Sequence, residues 1–125
     1  MVGKIADGLN EDGKAVKGSH ILILGVAYKP NVSDMRESPA LDIIHLLRGK
    51  GAKVAYHDPF VPDLSHEGIP LQSVALTAEG LRAADCVVVV TNHQQLDYDL
   101  VGNEARLIVD SRNVMRGGSG RIISL

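Results

Sequence analysis

His20-Ile21-Leu22-Ile23-Leu24-Gly25-Val26-Ala27-Tyr28-Lys29-Pro30-Asn31-Val32-Ser33-Asp34-Met35-Arg36-Glu37-Ser38-Pro39 opens on a mostly aliphatic run and closes on a helix start. An apolar run without polar alternation marks a parallel strand buried on both faces. Ser38 reads as an N-cap, and Pro39 as the first helical residue, where a missing N–H costs nothing. The connection between them exceeds the about 2–6 residues usual for a strand-to-helix turn. It also sits where open α/β sheets bind ligands, beyond the carboxyl end of a strand. Lys29 offers a compact charge, Arg36 a planar fork and the helix start free N–H groups, a combination suited to an anion. The plainer reading is that both cations are solvated and paired with Asp34 and Glu37, since exposed pairs are common and worth only about 0–1 kcal/mol.

Outward from this stretch, Leu41, Ile44 and Leu47, with Ala40 and Ile43 beside them, form a helical stripe punctuated by Gly49 and Gly51, the crossover helix of a βαβ unit. Lys53 to His57 is the second strand, ending in Asp58-Pro59. An acid at that strand end can hold a ribose hydroxyl in a dinucleotide-binding fold. However, Gly25 is followed by Val-Ala-Tyr-Lys rather than a Gly-x-Gly-x-x-Gly turn, so a strand stop at Asp58 is the preferred reading. Upstream, Val2, Ile5, Ala6 and Leu9 recur at helical spacing, broken around Asn10 to Gly13. Residues 1–18 are therefore expected to be a helix and lead-in, and 19–125 a single binding domain.

Further along, 60–70 is a polar surface connection and 71–74 a short extended piece. Thr77 caps a helix over 79–84 with Glu79 early in it, the favourable end of the dipole. Cys86-Val87-Val88-Val89-Val90-Thr91 reads as a strand at the sheet centre. A further helix is expected over 97–105, a strand over 106–110 and a last short strand over 121–125, after a glycine-rich stretch that composition makes flexible. Arg112 follows the fourth strand, on the same sheet edge as Lys29 and Arg36. His93 has no carboxylate placed beside it by sequence, and the expectation is a loop histidine with a local hydrogen bond. The five histidines show no metal-ligand spacing, so no metal is implied.

The Ala-Tyr-Lys and Asp-x-Arg-Glu-Ser-Pro elements, continued by 40–44 and by Tyr56-His57-Asp58-Pro59, resemble the C-terminal domain of the UDP-glucose/GDP-mannose dehydrogenase family. Within it the chain looks most like the bacterial UDP-N-acetylhexosamine 6-dehydrogenases, over about Leu9 to Arg112. The resemblance implies a Rossmann-like, doubly wound, largely parallel α/β domain that binds a UDP-sugar. It implies substrate contacts from Tyr28, Lys29 and from Arg112 of the Asp-x-Arg-Asn element, and a contact of Arg36 with the pyrophosphate of NAD. It further implies a longer, homo-oligomeric enzyme that oxidises the sugar C6 alcohol with two NAD+ through a cysteine-bound intermediate. The Gly-rich NAD turn and the segment bearing that cysteine are missing here, so the domain alone is expected to bind and not to catalyse. Pro30 stands where many relatives have a second basic residue, which removes a cation and stiffens the loop.

Bulk properties agree with this reading. The chain has 125 residues, 45% of them hydrophobic and 22% charged, enough for one aliphatic core. Thirteen Lys and Arg against fifteen Asp and Glu give a net charge of −2, which does not favour nucleic acid. The single cysteine, Cys86, rules out an intrachain disulfide and fits a reducing compartment; opening a valine run, it reads as core. No run approaches the roughly 18–20 apolar residues of a membrane span, nor does the start carry a signal-peptide core, so a cytoplasmic protein is expected. Two rivals remain at this stage. One is a stand-alone nucleotide- or CoA-binding regulatory module. The other is a phospho-acceptor receiver domain suggested by Asp58 and Asp110, which lacks the acidic pair after the first strand.

Overall fold

A computed structural model describes residues 1–27, 38–118 and 120–124. Along the chain these form α1 (Val2–Glu11), β1 (His20–Leu24), α2 (Pro39–Gly49), β2 (Lys53–His57), a 3-10 turn (Ser65–Glu67), α3 (Ala78–Ala83), β3 (Cys86–Val89), α4 (Tyr98–Glu104), β4 (Leu107–Asp110) and β5 (Arg121–Ser124). The five strands pair in the order β2-β1-β3-β4-β5, every pair parallel. This is the expected Rossmann-like α/β architecture, with β3 at the centre.

Side chains alternate across a strand, and the aliphatic runs feed two separate cores. Ile21, Ile23, Cys86, Val88, Leu107 and Val109 point to one layer, where Ile5 and Leu9 of α1 and Ile44 and Leu47 of α2 cover them. Leu22, Leu24, Val87, Val89 and Ile108 point to the other, beneath Leu81 of α3 and Val101 of α4. Burial of each such side chain contributes about 1.5–3 kcal/mol. Because both faces are covered, the valine run needs no polar partner along its length.

The helix starts follow the sequence chemistry. The Ser38 side chain accepts from Ala40 N–H at 3.2 Å, with Pro39 behind it. Thr77 accepts from Gly80 N–H and Asp97 from Leu100 N–H, each at 3.0 Å. Asp97 is therefore the cap of α4 and not its first residue. β3 stops at Val89 rather than Thr91: the Val90 N–H makes the last ladder bond, to the Leu24 carbonyl at 2.9 Å, and the Thr91 N–H turns back to that same carbonyl at 3.3 Å. The extended piece at 71–74 is reduced to isolated bridges, Tyr56 with Ser73 and Asp63 with Gln72. Within the glycine-rich stretch, Gly118, at φ +119, lies so close to Gly102 that a Cβ there would fall 2.3 Å from the Gly102 carbonyl oxygen, so glycine at that position serves close packing.

At the amino ends of the strands, Lys14 meets Asp85 at 2.9 Å and the His20 N–H donates to the same carboxylate at 2.8 Å. Burial pushes the Asp85 carboxyl up, but the hydrogen bonds from Lys14 and His20 outweigh it and hold the group below the usual carboxylate range. Among the described residues, no helix is long and apolar enough to cross a membrane, and no cluster of three potential metal ligands occurs.

Candidate functional site

The strand order places a topological switch point between β1 and β3. From β1 the chain winds to one side to make β2, and β3 lies on the other, so the connections leaving β1 and β3 part and leave a crevice at their carboxyl ends. Its floor is Gly25 to Ala27, Asp58 and Val90 to His93. Tyr28, Lys29 and Arg36, three of the four site residues expected from sequence, lie outside the described residues; Ala27 and Ser38 flank that segment.

Asp58 organises this floor. It is 2% exposed, and its Oδ2 accepts from Val26 N–H at 2.8 Å, from Ala27 N–H at 3.2 Å and from His93 Nε2 at 2.8 Å. Its Oδ1 accepts from Phe60 N–H at 2.8 Å, the local turn that Asp-Pro suggests. Every partner is a donor, so the carboxylate is satisfied without water and His93 carries its proton on Nε2. Buried to 2% exposure, Asp58 presents almost no accessible oxygen to a ribose, and the strand-stop reading holds for the turn while missing the long-range role.

His93 differs from expectation more sharply. It is fully buried, it does have a carboxylate beside it, and its ring packs on Phe60 with centroids 4.9 Å apart. Its carbonyl accepts from the Tyr98 hydroxyl at 2.8 Å, and burial, aided by Asp110, pushes that phenol up to about 12. Neither partner was legible, because Asp58 and His93 are 35 residues apart. The signal that could have found them is a pair of polar residues just past the ends of the two strands that flank β1, each inside apolar surroundings.

The remaining bonds join β1 to β2, β3 to β1 and β4 to β3. Gly25, at φ +83, donates its N–H to the His57 carbonyl at 2.9 Å. Thr91 Oγ1 donates to the Ala27 carbonyl at 2.6 Å. From the β4 end, Arg112 Nε donates to the Val90 carbonyl at 2.8 Å, while its own N–H is held by Asp110 Oδ1 at 3.1 Å. The structure thus seats Arg112, an exposed residue, on the lip of the β3 turn. One guanidinium donor is committed to the backbone there, and the planar fork is held at the crevice edge.

The same bonds bear on a dinucleotide. A Rossmann pyrophosphate is cradled by the free N–H groups of the first strand-to-helix turn. Here the N–H groups of residues 25–27 are all taken by His57 and Asp58. The described residues therefore do not fit NAD in the usual way. Cys86, buried at the start of β3, has its thiol pushed up to about 12 by burial, which is the setting of a core residue and not of a nucleophile. An apolar hollow of about 380 Å3 exists elsewhere, near the amino ends of β1 and β2, lined by Leu22, Ala55, Thr77 and Ala84; it shares no residue with the crevice.

Comparison with known proteins bears on the same fold and site. Residues 22–117 match the family described as UDP-glucose/GDP-mannose dehydrogenase family, UDP binding domain. A UDP-glucose 6-dehydrogenase of Rhizobium meliloti (strain 1021) is 34% identical over 110 residues, covering 83% of this chain and 25% of that protein. A UDP-N-acetyl-D-mannosamine dehydrogenase of Pyrococcus horikoshii is 32% identical over 101 residues, covering 77% of this chain and 22% of that protein. The solved structure of a UDP-glucose dehydrogenase from Pyrobaculum islandicum superposes with a TM-score of 0.75 at 29% identity, covering 96% of this chain and 28% of the other. The chain spans about a quarter of the length of the curated relatives it matches.

Proposed function

The chain belongs to the UDP-glucose/GDP-mannose dehydrogenase family, and on that premise we propose that it is the C-terminal, nucleotide-sugar-binding part of an NAD-dependent enzyme that oxidises the C6 alcohol of a UDP-sugar to a carboxylate. Residues 19–125 form the binding domain and 1–18 its helix and lead-in. The observation that carries the reading is Arg112 on the Val90 carbonyl, at the lip of the switch-point crevice. A guanidinium held there faces the place where α/β sheets take nucleotides, and its remaining N–H groups suit phosphate oxygens.

In this reading Lys29 and Arg112 neutralise the diphosphate, Tyr28 lies beside Lys29 against the nucleotide, and Arg36 reaches the pyrophosphate of NAD held by the rest of the dehydrogenase chain. NAD accepts hydride when bound there. The role of these residues is to bind and orient one substrate, so the isolated domain binds without catalysis. The whole enzyme is a homo-oligomer of the cytoplasm, a location supported by the one buried, unpaired cysteine.

Calorimetric titration of the 125-residue chain with UDP tests the reading, with GDP and UDP-N-acetylglucosamine as comparators. Saturable UDP binding, without NADH production when a UDP-sugar and NAD+ are supplied, is expected. Absence of UDP binding refutes the binding role, and NADH formation by this chain alone refutes the division of labour.

A further inference from the structure

We propose that Asp58 and His93 are positioning residues for nucleotide binding, setting the crevice floor and, through it, the seat of Arg112. The inference rests on the nucleotide-binding reading above and adds two residues that are too buried to meet the ligand themselves.

The argument follows the bonds. Asp58 stands at the end of β2, yet its Oδ2 gathers the N–H groups of Val26 and Ala27 beyond β1 and the Nε2 of His93 beyond β3. One oxygen thereby fixes the separation of the two strand ends that define the switch point. The turn between β3 and His93 is closed internally by the His93 N–H on the Thr91 carbonyl at 3.1 Å, and is tied to β1 by the Thr91 hydroxyl on Ala27. Arg112 reads the position of that turn directly, because its Nε donates to Val90, the residue before Thr91. A shift of the turn away from β1 would carry the Val90 carbonyl, and the guanidinium on it, with it.

This pair differs from an ordinary core contact. A carboxylate with four donors in a site closed to water is costly to build, since a buried charge is tolerated only when fully hydrogen-bonded. A strand stop alone would need only the Phe60 bond, which an exposed aspartate can make as well. Two of the four donors lie just beyond the end of β1, and a third on the β3 turn that seats Arg112. The pair is thus spent on aligning one rim.

The experiment pairs UDP titration with thermal melting for three variants, all measured well below their melting temperatures. His93→Leu removes the donor at similar volume, and UDP affinity is expected to fall about tenfold, the share of one charged hydrogen bond that is felt at the site. His93→Gln retains an N–H at about the reach of Nε2 and is expected to restore affinity to within about threefold of the unaltered chain. Leu81→Ala, in the other core layer and away from the rim, is expected to lower the melting temperature without changing UDP affinity. If His93→Leu melts earlier but binds UDP as the unaltered chain does, the pair is structural only and the positioning role is overturned. Equal losses in His93→Gln and His93→Leu overturn it too. Failure of the unaltered chain to bind UDP would overturn the parent reading, and this inference with it.

Discussion

Replacing Gly25 by alanine tests whether the β1 turn and the β3 turn are in backbone contact at the crevice. Gly25 has φ +83, where an L-residue costs about 1–2 kcal/mol. A Cβ there would lie 2.3 Å from the Thr91 carbonyl oxygen, 2.6 Å from its Cβ and 2.8 Å from its nitrogen, about 1 Å short of ordinary contact. Thr91 cannot easily withdraw, because its N–H is bonded to Leu24 and its hydroxyl to Ala27. Overpacking a closed site adds about 1–3 kcal/mol, so Gly25→Ala should lose about 2–5 kcal/mol, out of the about 5–15 kcal/mol typical of a domain. At roughly 4 °C per kcal/mol that corresponds to a fall in melting temperature of about 8–20 °C. Gly13→Ala separates the two contributions, since Gly13 has φ +73 but nothing within 4 Å of a Cβ, and should lose only the conformational part. Urea unfolding of both variants provides the comparison. Equal losses at the two positions, or a loss below about 1 kcal/mol at Gly25, would refute the close approach of the two turns.

Arg112→Ala should weaken UDP binding by about 1.5–3 kcal/mol, the range for a hydrogen bond to a charged group, with little change in melting temperature; calorimetry reads both the affinity and any loss of binding heat. Thr91→Val keeps the volume but leaves the Ala27 carbonyl without its 2.6 Å donor, and should cost about 1–3 kcal/mol in urea unfolding. Cys86 is held neutral up to about 12 in the folded chain against an ordinary value of 9.0. The unfolded chain therefore releases that proton first, so the thiol's contribution is full below about pH 9 and is lost as pH rises toward 12, with a slope of at most about 1.4 kcal/mol per pH unit. The difference in unfolding free energy between the unaltered chain and Cys86→Ala should show that slope above pH 9 and be flat below it. Asp85, with its folded value lowered, acts in the opposite direction: its contribution is present above the usual carboxylate range and is lost as pH falls through the folded value. Lys14→Ala should blunt that acid limb in a pH series of melts.

The sequence makes the strands and the βαβ order readable for a simple reason. A strand covered on both faces must be apolar at every position, and Ile21 to Leu24 and Cys86 to Val89 are so without exception. Helix starts are readable because Ser38, Thr77 and Asp97 act on N–H groups two or three residues away. Arg112 could be placed at the rim for the same reason, as it follows an apolar strand of known direction. The Asp58–His93 pair could not, since it depends on which strand ends are neighbours, and an Asp-Pro step is an adequate local stop by itself. Its aspartate invited two local readings, turn or ribose ligand, and neither included a partner beyond β3.

That pair also explains why this domain would need cationic side chains at its rim. In a dinucleotide-binding turn the phosphate is met by main-chain N–H groups, which requires those groups to be free. Here Gly25, Val26 and Ala27 spend theirs on His57 and Asp58, inside the protein. A diphosphate at this switch point must therefore be held by side chains reaching over the rim, and Arg112 is the described residue seated to do so. If UDP binding to the Arg112→Ala variant were undiminished at both low and high salt, Arg112 would not be holding the phosphate, and its seat on the Val90 carbonyl would be refuted as part of the binding site.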